Sequence, residues 1–492
     1  MPSSRETTPE VARRSRRLRR WDDNRHRLTR LVAVPLITVV LFALREAFFP
    51  EGKIPQHWWE RSLVMASWLW VGAVPAAAAG LAALLVPQGR RPEDSGGAVA
   101  QLVAFRIVSR GTNASALADT VAAIRQAMTQ RALFDYRIEV VTDQAVELPE
   151  GPDLEAHVVP PAYETPNGSK YKARALHYLS DTSDLPLDAW VFHCDEESHV
   201  TPGLIGGIRD AIVEEEERAA QGLTPRIGQG CILYWRNLRA HPLLTLADSL
   251  RTGDDVTRFL AQFRSGALMC GMHGSFILVR ADIERTVTFD VGPEGSVTED
   301  AWWAYSQAEQ GREFRWVDGY LIEQSPEHSL DFVKQRRRWY SGLWKVCLYA
   351  PAPFVARAVL MGFLSGWLLS ALGGIYTVIN LFTGYYTPLI PRVLGAVVMA
   401  WYVNCYLTGL WLNLRGMPAD VRPGRGMRLL LTVGQVLLLP VFGILEGLGV
   451  LYALVKPERG FHVVKKRGSA GEGSADAGLA EATTPPKPAI AA

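Results

Sequence analysis

Hydrophobic positions along the 492-residue chain follow two patterns, and the change between them divides it. Long apolar stretches occur at 31–49, 62–86, 361–382, 391–412 and 428–455, each long enough to cross roughly 30 Å of hydrocarbon. Between residues 97 and 349 the apolar runs are short and alternate with amphipathic segments. QLVAFRIVS (101–109) predicts a strand, ALADTVAAIRQAMTQRAL (116–133) a helix and YRIEVVTD (136–143) a second strand. That βαβ succession implies an α/β, Rossmann-like fold with parallel strands. HVVPP predicts a further strand ahead of the loop AYETPNGS and a helix from about Lys170, and AWVFHC (189–194) leads into Asp195, Glu196 and Glu197.

Charge then orients the apolar segments. The net charge of +2 gives no ground for a nucleic-acid partner, but six arginines fall between Arg13 and Arg20, directly before the first apolar stretch. This positive-inside signature places the N-terminus in the cytoplasm. No small-residue cleavage site follows Leu44, so the segment is expected to stay in the mature protein. The basic loop 415–428 is expected on the same side, and the uncharged loop 383–388 outside. A single crossing by 428–455 would export the basic tail KPERGFHVVKK, against the charge rule. Pro440, Gly443, Glu446, Gly447 and Gly449 could instead break that stretch into a re-entrant hairpin, which favours a cytoplasmic tail. The expected organisation is a basic N-terminus (1–30), two membrane helices (31–86), a cytosolic domain (97–349), a C-terminal membrane region (354–455) and a tail (456–492) with a disordered, low-complexity end. These features describe an integral protein of the plasma membrane. Five scattered cysteines read as buried, reduced thiols.

Candidate chemistry sits at strand ends, where open α/β sheets bind ligands. Ser109, Arg110, Asp143 and Asp195 all occupy such positions. Asp195 and Glu197 form a D-x-E pair whose carboxylates can face one side and hold a hard divalent cation, Mg²⁺ or Mn²⁺, with Glu196 facing away. The competing reading is a solvated acidic turn. In SVTEDAWWAY, Asp300 is either a general base or, with Thr298, part of a helix cap. In DFVKQRRRWYSGLW, Gln335, Arg338 and Trp339 share one helical face suited to a diphosphate and a sugar ring. The alternative is an interfacial helix, with Arg336 and Arg337 reaching to phospholipid headgroups.

The order Asp143, Lys172 in KARAL, DEE (195–197), TED (298–300) and QRRRW (335–339) resembles the membrane-integrated family 2 glycosyltransferases. SRG (109–111), KYKARAL, HCDEES, GMHGSF (271–276), EQSP (323–326), KQRRRWYSG and FHVVKK are similar to the egghead-type β-1,4-mannosyltransferases. The resemblance implies a glycosyltransferase A-type mixed sheet between membrane helices. It also implies a nucleotide-sugar donor, GDP-mannose or a UDP-sugar, and a lipid-linked or glycan acceptor. Ser109, Arg110 and Asp143 would then hold the nucleoside, Lys172 the base or phosphate, Asp195 the ribose side of the donor, and Asp195 and Glu197 the metal. The family more often has Asp at the position of Glu197. Asp300 would be the catalytic base, and Gln335, Arg338 and Trp339 would close over the diphosphate and the acceptor entrance. Gly271, Met272, His273, Gly274, Ser275 and Glu299 would line the acceptor pocket, with His273 touching acceptor or filling space. The expected reaction is a single inverting displacement giving a β-glycosidic bond. A processive β-glycan synthase and a sugar-nucleotide-binding membrane regulator are the alternatives.

Overall fold

The computed structural model describes residues 31–48, 52–86 and 97–458. The arginine cluster at 13–20, most of the linker after Val86, the FHVVKK motif and the low-complexity end lie outside these residues. The eight strands are β1 (Leu102–Ser109), β2 (Asp135–Thr142), β3 (Leu154–Val158), β4 (Trp190–Asp195), β5 (His199–Val200), β6 (Ile227–Leu233), β7 (Ile277–Arg280) and β8 (Phe314–Ile322). They form one sheet in the order β3-β2-β1-β4-β7-β6-β8-β5. The sheet is mixed because β7 runs antiparallel to β4 and β6, and β5 runs antiparallel to β8.

β1 reads as a near-continuous apolar run because helices cover both of its faces, as expected for an interior parallel strand. Ala104, Val108 and Val191 enter one core, while Val103, Phe105, Ile107, Trp190 and Phe192 enter the other. Arg106 interrupts the first set, but it is fully paired, with Glu139 at 2.8 Å and Glu284 at 2.7 Å. The predicted helix after β1 spans Ala114–Gln130, and the side chain of Asn113 accepts the Ala116 N–H to cap it.

Register then fixes the site. Val108 pairs with Asp195, Ser109 with Thr142 and Leu233 with Ile322. The carboxyl ends of β1, β2, β4, β6 and β8 therefore share one edge, and the amino end of antiparallel β7 meets them there.

Among the described residues, four helices are long and apolar enough to cross a membrane: Leu31–Phe48, Trp58–Ala83, Phe354–Thr383 and Leu389–Gly416. Trp58 and Trp59 start the second of these, and both are exposed. The last apolar stretch is two helices, Arg425–Leu437 and Leu439–Val455, bent by 53°. The break falls at Leu438, beside Pro440, which lacks an N–H and suits the first turn of the new helix. Gly443, Gly447 and Gly449 continue inside that helix, so the expected break is made beside Pro440 and not at these glycines.

The sheet domain is seated directly on the bundle. Helix Pro242–Asp254 crosses Leu389–Gly416 so closely that a Cβ on Gly409 would lie 1.7 Å from the Ser249 carbonyl oxygen. Asn413, on the bundle side, accepts the Tyr234 backbone N–H at 2.9 Å just beyond β6. All five cysteines are free thiols, four of them buried.

Candidate active site

β4 delivers the acidic run into a clamped turn. The Asp195 N–H donates to Ser198 Oγ at 2.9 Å, Thr120 Oγ1 donates to the Glu196 carbonyl at 2.7 Å, and Arg236 donates to the Glu197 carbonyl at 2.8 Å. The solvated-turn reading is thereby excluded for Glu197, which is buried. Asp195 and Glu197 converge, and a third carboxylate, Glu323, joins them from the end of β8. One oxygen from each lies within 4.8 Å of the others. Three hard oxygen donors at that spacing fit Mg²⁺ or Mn²⁺. Ser275 donates its hydroxyl to Glu323, and the Glu323 backbone N–H donates to the Leu233 carbonyl at 2.9 Å. The same contacts tie this carboxylate to the GMHGSF loop and to β6.

Lys172, in the first turn of helix Tyr171–Thr182, donates to Asp195 at 2.5 Å and to the Gly274 carbonyl at 3.1 Å, with Glu299 at 4.0 Å. Burial alone would lower its pKa, yet Asp195, Glu299 and Asp300 together hold the ammonium above the usual lysine range. Glu299 and Asp300 open helix Glu299–Glu309. Thr298 stands at the N-cap position, but its hydroxyl makes no cap bond, so the capping-box reading fails. Burial, with the Asp300 charge beside it, pushes Glu299 up to about 7. Burial likewise raises Asp300 above the ordinary aspartate range, against the pull of Lys172. A Cβ on Gly274 would come 2.9 Å from Asp300 Oδ2 and 3.2 Å from Lys172 Nζ, so only glycine lets this loop approach both groups. Two non-glycine residues adopt left-handed backbone here, Tyr171 (φ 56°) beside Lys172 and Phe276 (φ 60°) beside Ser275. Such strain concentrates where the surrounding structure over-determines a functional geometry.

Helix Ser329–Tyr349 supplies the opposite wall. Gln335, Arg338 and Trp339 all face the site, and Trp339 is covered by the guanidinium groups of Arg251 and Arg336 at 4.6 and 4.5 Å from its ring centre. Arg336 corrects the headgroup expectation. It is buried between Asp248 at 2.6 Å and Glu446 at 2.8 Å, and it donates to Gln335 at 2.7 Å. Arg337 donates to the Lys456 carbonyl at 2.7 Å and pairs with Glu458 at 3.2 Å, so it too is spent within the protein.

One cavity of about 880 Å³ is lined by every residue singled out in the sequence: Ser109, Arg110, Asp143, Lys172, Asp195, Glu197, Gly271 to Ser275, Glu299, Asp300, Gln335, Arg338 and Trp339. Three of them have unexpected partners. The Ser109 hydroxyl donates to Glu196, which therefore lines the cavity instead of turning wholly away. Asp143 accepts from Arg174 at 2.8 Å. His273 pairs with Asp255 at 2.7 Å and stacks on Phe259 at 4.5 Å. Burial opposes the imidazolium there, but Asp255 outweighs it and raises the His273 pKa. Glu323, Asp255 and Arg251 were not singled out as site residues. Glu323 directly follows the last residue of a strand, as Asp195 ends one, and that signal could have found it.

Residues 190–414 match the family described as Glycosyl transferase family group 2. The β-1,4-mannosyltransferase egh of Drosophila melanogaster is 30% identical over 374 residues, covering 75% of this chain and 79% of that protein. The chain belongs to this β-1,4-mannosyltransferase family. The transferase is also 29% identical over 372 residues to the β-1,4-mannosyltransferase bre-3 of Caenorhabditis briggsae, covering 74% and 78% of the two chains. Among solved structures, a mannosyltransferase from Pyrobaculum calidifontis in complex with GDP-Man and Mn²⁺ aligns with a TM-score of 0.44 and 14% identity, over 80% of this chain and 97% of that one. This family 2 glycosyltransferase therefore carries its strand-end carboxylates, its TED helix and its QRRRW helix around a single cavity.

Proposed function

We propose that the enzyme transfers mannose from GDP-mannose to a hydroxyl of a membrane-associated acceptor by one inverting displacement, with the sheet domain on the cytoplasmic face. The observation that carries this reading is the convergence of Asp195, Glu197 and Glu323 opposite Asp300 within one cavity. The mannose assignment follows the names of the relatives, both β-1,4-mannosyltransferases. Cytoplasmic placement follows the basic loop 415–428.

Asp195, Glu197 and Glu323 would hold Mg²⁺ or Mn²⁺, which when bound supplies positive charge to the diphosphate of the donor. Ser109, Arg110 and Asp143 line the nucleoside end; Asp143 is oriented by Arg174, and Ser109 by its bond to Glu196. Lys172 bridges Asp195 and the Gly274 carbonyl, and its ammonium would meet the donor phosphates beside the metal. Arg338 and Gln335 cap the leaving diphosphate, with Trp339 held as a flat wall by two guanidinium groups. Asp300 accepts the proton of the acceptor hydroxyl as that oxygen attacks the anomeric carbon and the bond to the diphosphate breaks. A raised pKa suits this role, because a base is most effective when its pKa approaches the working pH. Gly271 to Ser275 and Glu299 border the acceptor.

The test is a donor screen. Purified protein with Mn²⁺ is offered GDP-mannose, UDP-glucose and other nucleotide-sugars, and nucleoside diphosphate release is followed. Release confined to GDP-mannose is expected; release confined to a UDP-sugar overturns the donor assignment. Sizing the product separates one added sugar from a polymer.

A further inference from the structure

A guanidinium in the cavity wall stands without a polar partner. Arg251 lies in the last turn of helix Pro242–Asp254, which seats the sheet domain on the bundle, and it lines the cavity. It packs on two rings, with its Cζ 4.1 Å from the ring centre of Tyr234 and 4.6 Å from that of Trp339. Among the described residues it makes no hydrogen bond and no ion pair. Other arginines of the same wall are spent, Arg258 on Asp254 at 2.5 Å and Arg336 on Asp248 and Glu446. The charges of Asp248, Glu323 and Asp255 act on Arg251 through space, but each of these carboxylates is committed elsewhere. Asp248 holds Arg336, Asp255 holds His273 and the Ile232 N–H, and Glu323 accepts from Ser275 within the acidic cluster. A guanidinium carries five N–H donors, and aromatic faces attract its charge without accepting those bonds. The arrangement therefore fits an anion that a ligand brings.

The sheet order indicates which anion. Along the carboxyl edge, Ser109 ends β1 and Asp143 follows β2, Asp195 ends β4, and Tyr234 follows β6 on the far side of β4. Arg251, resting on Tyr234, thus stands across Asp195 from the nucleoside end. Resting on the transferase reading above, we propose that Arg251 binds the sugar-bearing phosphate of the nucleotide-sugar and holds it as the diphosphate leaves. When the anomeric C–O bond breaks, its electron pair stays on that phosphate, which gains a negative charge. A guanidinium fixed there stabilises the departing group more than the intact donor.

Arg251→Met keeps an unbranched chain against both rings and, unlike a change at Arg336, strands no paired carboxylate. Calorimetry with Mn²⁺ compares GDP with GMP. GDP should bind Arg251→Met roughly tenfold or more weakly than the parent, the loss expected for charge-assisted hydrogen bonds, while Arg251→Lys falls between the two. GMP affinity should hold in both variants. Unchanged GDP affinity in Arg251→Met overturns the proposal, and so does an equal loss for GDP and GMP, which a merely structural role would give. A second readout needs no variant. Phenylglyoxal, which modifies guanidinium groups, should modify Arg251 in the parent, and Mn²⁺ with inorganic pyrophosphate should block it. Modification of Arg251 that persists undiminished overturns the proposal alone. A parent that binds neither GDP nor pyrophosphate with Mn²⁺ overturns the transferase reading, and this proposal with it.

Discussion

The two ends of the cavity are built on opposite principles. At the polar end the charged groups are locked together: Lys172 to Asp195, Ser275 to Glu323, His273 to Asp255 and Arg336 to Asp248 and Glu446. Along helix Phe354–Thr383 the cavity instead leaves space beside small residues and engages its few polar groups internally. The first end fixes charge in pairs and the second is walled by small and apolar side chains. A substitution at the polar end should therefore change chemistry or folding.

Four perturbations sharpen that contrast. The largest effect is expected from Asp300→Asn, which keeps the shape and removes the base. Turnover should fall by roughly 10²–10⁴, while nucleotide affinity, measured by calorimetry, stays close to the parent's. Unchanged turnover would remove Asp300 from the mechanism. Arg336→Met should leave Asp248 and Glu446 uncompensated in the interior and cost about 3–5 kcal/mol, read as a lowered unfolding midpoint in detergent. Midpoints within a degree of each other would show that the ion triad is not structural. Next is a shift in pH profile. Asp300 must be ionised to accept a proton, so activity rises with pH through its raised pKa. Arg338→Gln removes a positive charge that holds the Asp300 pKa down against burial, and should move the acid limb of kcat/KM to higher pH. Movement to lower pH would contradict the assignment. The smallest effect belongs to Glu196→Gln, which can still accept the Ser109 hydroxyl; a loss of less than about tenfold is expected in steady-state assays.

Much of the site was legible because its signals are local. A strand ending in D-x-E, a helix opening with TED and the Gln335/Arg338/Trp339 spacing each announce a direction for a side chain within a few residues. Glu323 was harder, since EQSP after β8 looks like any polar loop until the sheet order brings β8 to the same edge as β4. Asp255 lies in a π-helical turn at Asp255–Phe259, which twists it toward His273; neighbouring Asp254 and Arg258 make an ordinary i,i+4 pair that masks it. Arg336 was misread for a different reason. Its partners are 88 and 110 residues away in sequence, so nothing local distinguishes a buried arginine from one reaching for headgroups. The helices long and apolar enough to cross a membrane were legible from length and hydropathy, but the bend at Leu438 falls beside Pro440 alone among several helix-weakening residues.

The central claim, that three strand-end carboxylates form a metal-dependent diphosphate site, is tested most directly by GDP binding to the purified protein with Mn²⁺ and with EDTA. Binding should be at least tenfold tighter with Mn²⁺ in the parent, and that enhancement should vanish in Glu323→Gln. Equal affinity with and without metal in the parent would contradict it.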